Sequence, residues 1–292
     1  MKAKRWLIAV IAICCLMVSI WALNGKKIVP PPAPTTPAPN TVASSQEVKV
    51  HFIDVGQADS IYLQLSEHVD ILVDAGNVQD GPAVVKYLQE QGVDDLDLLI
   101  ATHPHEDHIG GISEILKAFK VKEIIDSGKV SSNKTYKNYA NQARLEGCPW
   151  ERDAYQSFTW GGTSLQVLTG EDTWNEVNDY SVVIRLDCGD IEFLLAGDAE
   201  KGAEELLPGD ISADILKVGH HGGSSSSSQR FLERVNPRVA VISVGNANTY
   251  GHPSPDTLKR LQQIGLQIYR TDINGSIVVS SDGLTYSVMT AR

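Results

Sequence analysis

Short apolar and alternating runs, separated by Gly and Asp, follow one another from residue 48 onward and predict a mixed α/β domain. The predicted strands are residues 49–53, 60–65, 69–73, 96–101, 122–125, 165–168, 181–186, 191–195, 215–218, 239–244, 267–269 and 276–279. The predicted helices are residues 82–91, 109–119, 134–145, 199–207, 229–235 and 256–264. Because strands and helices are interspersed in two similar halves, the pattern favours two sheets packed face to face with helices outside.

The N-terminus has a different pattern. Residues 6–23 form an apolar run of 18 residues without charge, after the basic residues Lys2, Lys4 and Arg5. This length is at the short end for a membrane-spanning helix and long for a secretory signal. We expect residues 1–29 to be a transmembrane signal anchor, with a cleaved signal peptide as the alternative. Either one predicts an extracytoplasmic protein, membrane-anchored or secreted.

Residues 30–46 are rich in Pro, Thr, Ala and Ser and contain no charged residue. Such a segment cannot bury a core, so it is predicted to be an extended, semi-rigid linker. The folded domain is therefore expected to span residues 47–292. Within this domain, Cys148 and Cys188 could form a disulfide in an oxidising compartment. Two thiols are the expected state, with Cys188 in a predicted turn at residues 187–190.

The chain is acidic, and this limits its substrates. Residues 1–46 contribute five positive charges and no acids to a net charge of −11, so the remainder carries −16. Duplex DNA would be repelled by such a domain unless metal ions and a local basic rim compensated.

A histidine-rich segment follows the apolar run at residues 98–101. Residues 102–108 read Thr-His-Pro-His-Glu-Asp-His, and a second pair, His220 and His221, follows a later predicted strand. Imidazole and carboxylate are preferred ligands of Zn²⁺ and related divalent cations. A metal site is therefore favoured over a polar surface loop that happens to be rich in histidine.

The pattern H-x-H-x-D-H resembles the signature of the metallo-β-lactamase superfamily. Residues 71–76, 193–198 and 216–223 resemble other segments of that superfamily that end in metal ligands or their supports. Residues 52–59 and 250–253 further resemble the hydrolase domain of ComEC-type competence proteins. The resemblance covers about residues 48–288 and implies an αββα sandwich that binds two divalent ions, Zn or Mn.

The resemblance also implies a ligand set. It assigns His103 and His105 to the first metal, Asp107 and His108 to the second, Asp198 as the bridge, and His220 as the residue that closes the second site. A further histidine of the first site is expected about twenty positions before Asp198, but residues 175–180 contain none. We expect Asn178 or a water molecule to take its place.

Other residues receive roles around this ligand set. Asp74 is expected to support a ligand, although turn formation alone would explain it. His252 is assigned to stabilise a developing oxyanion or protonate the leaving group, the alternative being a solvated loop histidine. His221 is expected to support a ligand or contact phosphate, and Asp107, His221 and His252 form the catalytic set. The predicted rim, which could instead consist of turn and linker residues, comprises Asp54, Gln57, Asp59 and Ser224.

Together these features predict an exported metal-dependent hydrolase that uses a metal-bridged hydroxide on a phosphodiester. Single-stranded nucleic acid is the substrate that the family suggests. Cell-wall or lipid phosphoesters, such as choline esters of teichoic acid, are the alternative favoured by the acidic domain and the membrane tether. A lactonase or β-lactamase is disfavoured because the first metal site lacks its expected histidine. A non-enzymatic surface binding module is disfavoured because the candidate metal ligands are clustered. The sequence indicates no protein partner.

Overall fold

A computed structural model describes residues 47–152, 155–168 and 174–292. The predicted signal anchor and linker lie outside these residues, so both stay predictions. Within the described ranges, no helix has the length and apolar character needed to cross a membrane.

Seventeen strands and eight α-helices make up the described part of the chain. The strands are β1 (Val48–Phe52), β2 (Ile61–Leu65), β3 (Val69–Val73), β4 (Asp95–Leu96), β5 (Leu98–Ala101), β6 (Lys120–Val121), β7 (Ile124–Asp126), β8 (Trp150–Arg152), β9 (Gln156–Trp160), β10 (Thr163–Leu168), β11 (Val183–Cys188), β12 (Ile191–Leu195), β13 (Ile215–Lys217), β14 (Val239–Ile242), β15 (Gln267–Arg270), β16 (Ile277–Ser281) and β17 (Tyr286–Thr290). The helices are α1 (Gly81–Glu90), α2 (Glu106–Ile109), α3 (Ile112–Ala118), α4 (Lys134–Glu146), α5 (Lys201–Leu206), α6 (Gln229–Val235), α7 (Pro255–Gln263) and α8 (Thr271–Asn274).

Two large sheets contain almost all of these strands. The first has the order β17-β16-β1-β2-β3-β5-β7-β8, and the second has the order β15-β14-β13-β12-β11-β10-β9. Each combines antiparallel and parallel pairs; β3 is parallel to β5, and β12 is parallel to β13. Parallel neighbours require crossover connections, and these bring the carboxyl ends of several strands to the same edge.

The core confirms the predicted αββα layers. One buried apolar cluster lies between the sheets and includes Val50 and Ile71 from the first and Leu165 and Phe193 from the second. A second cluster packs α1, α3 and α4 on the outer face of the first sheet. A third packs α5, α6 and α7 on the outer face of the second sheet.

Two predicted strands differ in the structure. The predicted strand 96–101 is divided into β4 and β5, and the predicted strand 122–125 begins only at Ile124, as β7. The break is at Asp97, whose backbone N–H donates to Asp70 O at 2.8 Å while its Oδ2 accepts from the Asp70 N–H at 3.0 Å. β4 and β6 consequently form a separate two-stranded parallel sheet.

The predicted helix 109–119 is wrong in its continuity, because it is interrupted at Gly110 and Gly111. A Cβ atom on Gly111 would lie 2.1 Å from the carbonyl oxygen of Ala75. The Ala75 N–H in turn donates to His108 O at 2.8 Å. The two glycines thus let the histidine-rich loop pack directly on the turn that follows β3.

Other differences concern edges and turns. Elements β6, β8, β9, β17, α2 and α8 were not predicted. β11 begins two residues later than expected, after a 3₁₀ turn at Asn178–Tyr180. Cys188 lies buried in β11 rather than in a turn. In the described part of the chain, Cys148 and Cys188 are not joined by a disulfide. The remaining predicted elements agree with the structure to within about two residues.

Candidate metal centre

The predicted metal ligands gather at one edge of the sandwich, where strands from both sheets end. The turn after β3 carries Asp74, and the loop after β5 carries the histidine-rich segment. From the second sheet, the loop after β12 carries Asp198 and the loop after β13 carries His220 and His221.

Asp74 positions the histidine-rich loop. Its Oδ1 accepts a hydrogen bond from the Thr102 N–H at 2.9 Å, and its Oδ2 accepts from the Thr102 hydroxyl at 2.6 Å. Oδ2 also lies 2.7 Å from His108 Nδ1, which fixes that nitrogen as the donor. The other nitrogen, His108 Nε2, lies 3.3 Å from Asp198 Oδ2. A carboxylate behind an imidazole orients it as a metal ligand, so this geometry supports the predicted role of Asp74.

Three buried polar atoms in this cluster have no hydrogen-bond partner among the described residues. They are His108 Nε2, His221 Nε2 and Asp198 Oδ1. Ligand atoms of His103, His108 and Asp198 lie within 4.8 Å of one another, as do those of Asp107, His108 and His221. Unpartnered buried polar atoms are costly, whereas a divalent cation is coordinated by these atom types. The residues present therefore fit a divalent metal.

The two adjacent histidines have different surroundings, although both have left-handed backbones, with φ of 48° for His220 and 50° for His221. His221 is buried; its Nδ1 is 3.0 Å from Ser243 O, and its Nε2 is 3.4 Å from Asp107 Oδ2. His220 is partly exposed and places its Nδ1 3.1 Å from Glu200 Oε1. The geometry thus places His221 where the prediction had placed His220, and we reassign the two residues accordingly.

His220 lies instead where the first site lacks its expected histidine. Its Nε2 is 3.3 Å from the Asn178 amide nitrogen and 4.0 Å from Asp198 Oδ2. On the other side of Asp198, His103 Nε2 is 3.9 Å from Oδ2 and 3.0 Å from His105 Nδ1. An imidazole therefore lies beside Asn178, and it belongs to His220.

An ion pair between Asp59 and Lys217 lies behind His221, and both side chains are buried. Lys217 Nζ also donates to Gly197 O at 3.3 Å, next to Asp198. Asp59 Oδ1 is 3.4 Å from His221 Nδ1. Burial alone would raise the pKa of Asp59, but the positive charges of Lys217 and His221 lower it to about 2. His221 Nδ1 is hydrogen-bonded to Ser243 O, so Asp59 acts on His221 mainly through its charge.

The acidic groups also determine the protonation of the imidazoles. Burial acts to lower the pKa of His221, but Asp198 and Asp59 raise it to about 10. His108 shows the same balance, with burial opposed by Asp198 and Asp74, and its pKa is raised. The pKa of His103 is lowered by burial and by His108. The carboxylates of Asp198, Asp59 and Asp74 thus favour positive charge at His108 and His221, whereas His103 is kept neutral.

A cavity of about 320 Å³ opens above these groups. It is lined by Gln57, His105, Glu106, Asp107, Asn178, Asp198, His220, His221, Tyr250 and His252. The His252 ring lies 5.1 Å from that of His220 and 6.4 Å from that of His221. Burial, followed by the charges of His220 and His221, lowers the pKa of His252, so its imidazole is neutral near pH 7.

Three of the four predicted rim residues are not on the rim. Gln57 lines the cavity, and its Oε1 accepts from the Gly245 N–H at 3.1 Å. Asp54 pairs with Arg292 at 2.7 Å instead, and Asp59 is buried below the cavity. Ser224 lines a neighbouring groove of about 640 Å³, because the loop turns away to let Ser228 cap α6.

Sequence reasoning missed two residues of this site, Lys217 and Tyr250. Lys217 is a lone charge at the end of the buried strand β13, and a charge in such a position signals a buried partner. Tyr250 is two residues from His252, and its proximity to that histidine was the available signal.

The chain has two packed sheets with helices outside, and metal-ligand side chains cluster at one edge of the sheets. This combination is typical of metal-dependent hydrolases. A model of the metallo-beta-lactamase superfamily matches residues 53–246. The chain therefore belongs to that superfamily, whose members typically bind divalent metals such as zinc.

Individual relatives agree with this assignment and with the predicted resemblance. The chain is 33% identical over 261 residues to "ComE operon protein 3" of Bacillus subtilis, covering 80% of this chain and 33% of the relative. It is 32% identical over 238 residues to "Competence protein ComA" of Neisseria gonorrhoeae, covering 79% and 32%. The chain thus spans about a third of the length of these relatives.

A solved structure shows the same fold. The metallo-beta-lactamase fold protein YhfI of Bacillus subtilis superposes with a TM-score of 0.53 at 14% identity, covering 80% of this chain and 100% of that one.

Proposed function

We propose that this protein is an exported, metal-dependent phosphodiesterase that holds two divalent ions, Zn or Mn. The observation that carries the proposal is the buried cluster of candidate ligands around Asp198, in which His108 Nε2, His221 Nε2 and Asp198 Oδ1 have no hydrogen-bond partner among the described residues. The first ion would be held by His103, His105, His220 and Asp198. The second would be held by Asp107, His108, His221 and Asp198.

When bound, divalent ions supply Lewis-acid activation of water and neutralise charge on a phosphodiester. The residues of the chain position the reactants. Asp107 faces the cavity with a partly exposed carboxylate, and it accepts a proton or hydrogen bond from the attacking water. His252, neutral and next to the cavity, donates a hydrogen bond to an oxygen that gains charge during reaction.

A phosphodiester is favoured over a β-lactam by the composition of the first site. That site has Asn178 where the superfamily pattern has a histidine, and its third imidazole comes from the partly exposed His220. The relatives with competence-related names favour a nucleic-acid substrate. The alternative is a cell-wall or lipid phosphoester, which the charge of −16 outside residues 1–46 favours over duplex DNA.

A panel of substrates tests the activity. Bis-p-nitrophenyl phosphate, nitrocefin and a lactone are each assayed with Mn²⁺, Zn²⁺ or a chelator, for the wild type and Asp198→Ala. We expect metal-dependent hydrolysis of the phosphodiester, abolished in Asp198→Ala. Faster turnover of nitrocefin or the lactone would contradict the phosphodiesterase assignment.

Export is tested separately, on the full-length chain in intact cells or protoplasts. We propose that residues 6–23 anchor the protein and that residues 30–46 extend outside the membrane. External protease should then release the domain by cutting within residues 30–46. Cleavage that occurs only after lysis would contradict export and leave the activity proposal intact.

A further inference from the structure

Glu200 is a carboxylate that lies against His220, the partly exposed histidine of the metal centre. Its Oε1 is 3.1 Å from His220 Nδ1, and the two side chains are 20% and 25% exposed. The Ser225 hydroxyl is another neighbour of this nitrogen, at 3.3 Å. Glu200 lines the neighbouring groove and not the metal cavity. It therefore contacts His220 from the side of the imidazole that faces away from the cavity.

The segment in which a first-site histidine was expected fixes the position of Glu200. Asp179 Oδ1 accepts hydrogen bonds from the backbone N–H groups of Glu200, at 3.0 Å, and of Ala203, at 3.3 Å. The neighbouring residue, Asn178, donates from Nδ2 to Glu200 Oε1 at 2.9 Å. Asp179 thus fixes the backbone of Glu200, and Asn178 fixes its carboxylate.

These contacts also select one tautomer of His220. Asn178 Nδ2 lies 3.3 Å from His220 Nε2, and an amide N–H group can only donate, so this ring nitrogen must offer a lone pair. An ionised carboxylate can only accept, so Glu200 favours a proton on His220 Nδ1. Both contacts therefore leave the lone pair on Nε2. That nitrogen is the one 4.0 Å from Asp198 Oδ2, on the side of the metal centre.

His220 depends on such contacts more than the other histidines around Asp198. The side chains of His108 and His221 are only 0% and 2% exposed, so packing restricts their rings. His220 is 25% exposed, and fixing a freer side chain costs conformational entropy. A carboxylate behind an imidazole reduces that cost, because it orients the ring and fixes its tautomer before a metal binds.

We propose that Glu200 is the positioning residue of the first metal site. It fixes His220 in the orientation and tautomer that make Nε2 a metal ligand, and so compensates for the histidine that residues 175–180 lack. This inference rests on the proposed two-ion centre. Substitution of Glu200 should therefore weaken the first site selectively and leave the second site, formed around His221, unchanged.

Metal titration tests the selectivity. The full-length, metal-free protein in detergent is titrated with Mn²⁺ by calorimetry, and the binding step that His220→Ala removes identifies the first site. Glu200→Ala should weaken this step by about 10- to 100-fold, the usual effect of removing a carboxylate behind a metal-binding histidine. Glu200→Gln keeps a side-chain oxygen towards His220 and should lose less. The second step and the urea midpoint of the metal-free protein should not change.

The tautomer of His220 provides a readout that does not require metal. Long-range ¹H–¹⁵N correlation spectra of the metal-free protein report which ring nitrogen carries the proton, and His220→Ala identifies the signals. The wild type and Glu200→Gln should carry the proton on Nδ1. Glu200→Ala should shift the population towards the other tautomer, because only the longer contact with Asn178 then favours Nδ1. An unchanged tautomer in Glu200→Ala would contradict the proposed role.

Glu205 is the matched control, because it lines the same groove at an exposed position of α5. Glu205→Ala removes the same charge and should bind both ions as the wild type does. Equal weakening in Glu205→Ala, or in Glu200→Gln and Glu200→Ala, would show an effect of charge alone and overturn the positioning role. A larger loss in Ser225→Ala would assign that role to the hydroxyl instead.

The titration also separates this inference from the proposed activity. Two binding steps that respond as expected, without hydrolysis of bis-p-nitrophenyl phosphate, would contradict the phosphodiesterase proposal and support the role of Glu200. Hydrolysis by the wild type, with unchanged first-site affinity in Glu200→Ala, would support the phosphodiesterase proposal and contradict the role of Glu200.

Discussion

Lys217 and Asp59 form an ion pair at the base of the metal cavity, with side-chain exposures of only 0% and 2%. The pair joins β13 of the second sheet to the loop between β1 and β2 of the first, directly behind His221. Its two charges compensate each other in an interior where either alone would be costly.

Removing one partner should therefore destabilise the protein strongly. Lys217→Met leaves the Asp59 carboxylate buried without its cation, and we expect the free energy of unfolding to fall by about 3–5 kcal/mol. Urea unfolding of the metal-free protein measures this loss. The double variant Asp59→Asn/Lys217→Met should recover part of it.

Lys122 is the matched control, because its Nζ pairs with Asp97 at 2.8 Å but its side chain is 52% exposed. Lys122→Met should cost less than about 1 kcal/mol, as exposed pairs do. Equal losses for Lys217→Met and Lys122→Met would show that the buried pair has no special role.

The proposed two-ion centre shares the carboxylate of Asp198, so metal content at both sites should depend on this residue. Asp198→Ala should lose both ions. His220→Ala should lose only the ion of the first site, and His221→Ala only the ion of the second site. Elemental analysis after equilibrium dialysis measures the stoichiometry, with His68→Asn as an exposed-histidine control. Two ions retained in Asp198→Ala would refute the shared ligand, and a second-site loss in His220→Ala would restore the original assignment of the pair.

His252 should affect turnover rather than metal binding. Because its lowered pKa leaves the imidazole neutral near pH 7, we expect it to donate a hydrogen bond to developing charge. His252→Ala should then lower kcat by about 10²–10³-fold for good and poor leaving groups alike. A loss confined to the poor leaving group would instead indicate proton donation to that group. Unchanged kcat with full metal content would make His252 a solvated loop residue.

The stability of the protein should depend on pH through His51, which lies far from the metal ligands in β1. Its Nδ1 is 2.9 Å from the Tyr87 hydroxyl. Burial, and then the charge of Lys49, lowers its pKa from 6.5 to about 4. The unfolded chain therefore takes up a proton below pH 6.5 that the folded protein takes up only near pH 4. The contribution of the lowered His51 pKa to the free energy of unfolding is therefore fully present above pH 6.5. About 3 kcal/mol of it is lost when the pH falls to 4.

Chemical unfolding at several pH values measures this loss in the metal-free protein. His51→Leu should reduce the difference in unfolding free energy between pH 7 and pH 4 by about that amount. His68→Asn, at an exposed position, should keep it. An unchanged pH dependence in His51→Leu would contradict the assignment.

The fold and the metal loop could be predicted because both depend on local patterns. The strands have continuous apolar runs, and the ligands of residues 103–108 lie close together in sequence. The roles of His220 and His221 could not be read in this way. Both lie between the same two glycines with nearly equal left-handed φ angles. Contacts to residues distant in sequence distinguish them, Ser243 O for His221 and Glu200 for His220.

Contacts between distant segments account for most of the other differences. Asp59 looked like a turn residue because its partner, Lys217, comes from the other sheet. Asp54 was expected at the rim, but its loop directs it towards Arg292 at the C-terminus. The break at Gly110 and Gly111 depends on the close approach of Ala75, which the helical pattern of residues 109–119 does not reveal.

The direction of β1 has a practical consequence for immobilising the protein on a sensor surface. β1 begins at Val48 and runs towards the loop that carries Gln57, so Val48 lies at the end of the strand away from that loop, roughly 14 Å from Phe52. The opposite terminus, Arg292, contacts Asp54 in that same loop. Coupling through a tag before Val48 would therefore leave the cavity facing the solution, whereas coupling through Arg292 would crowd its opening.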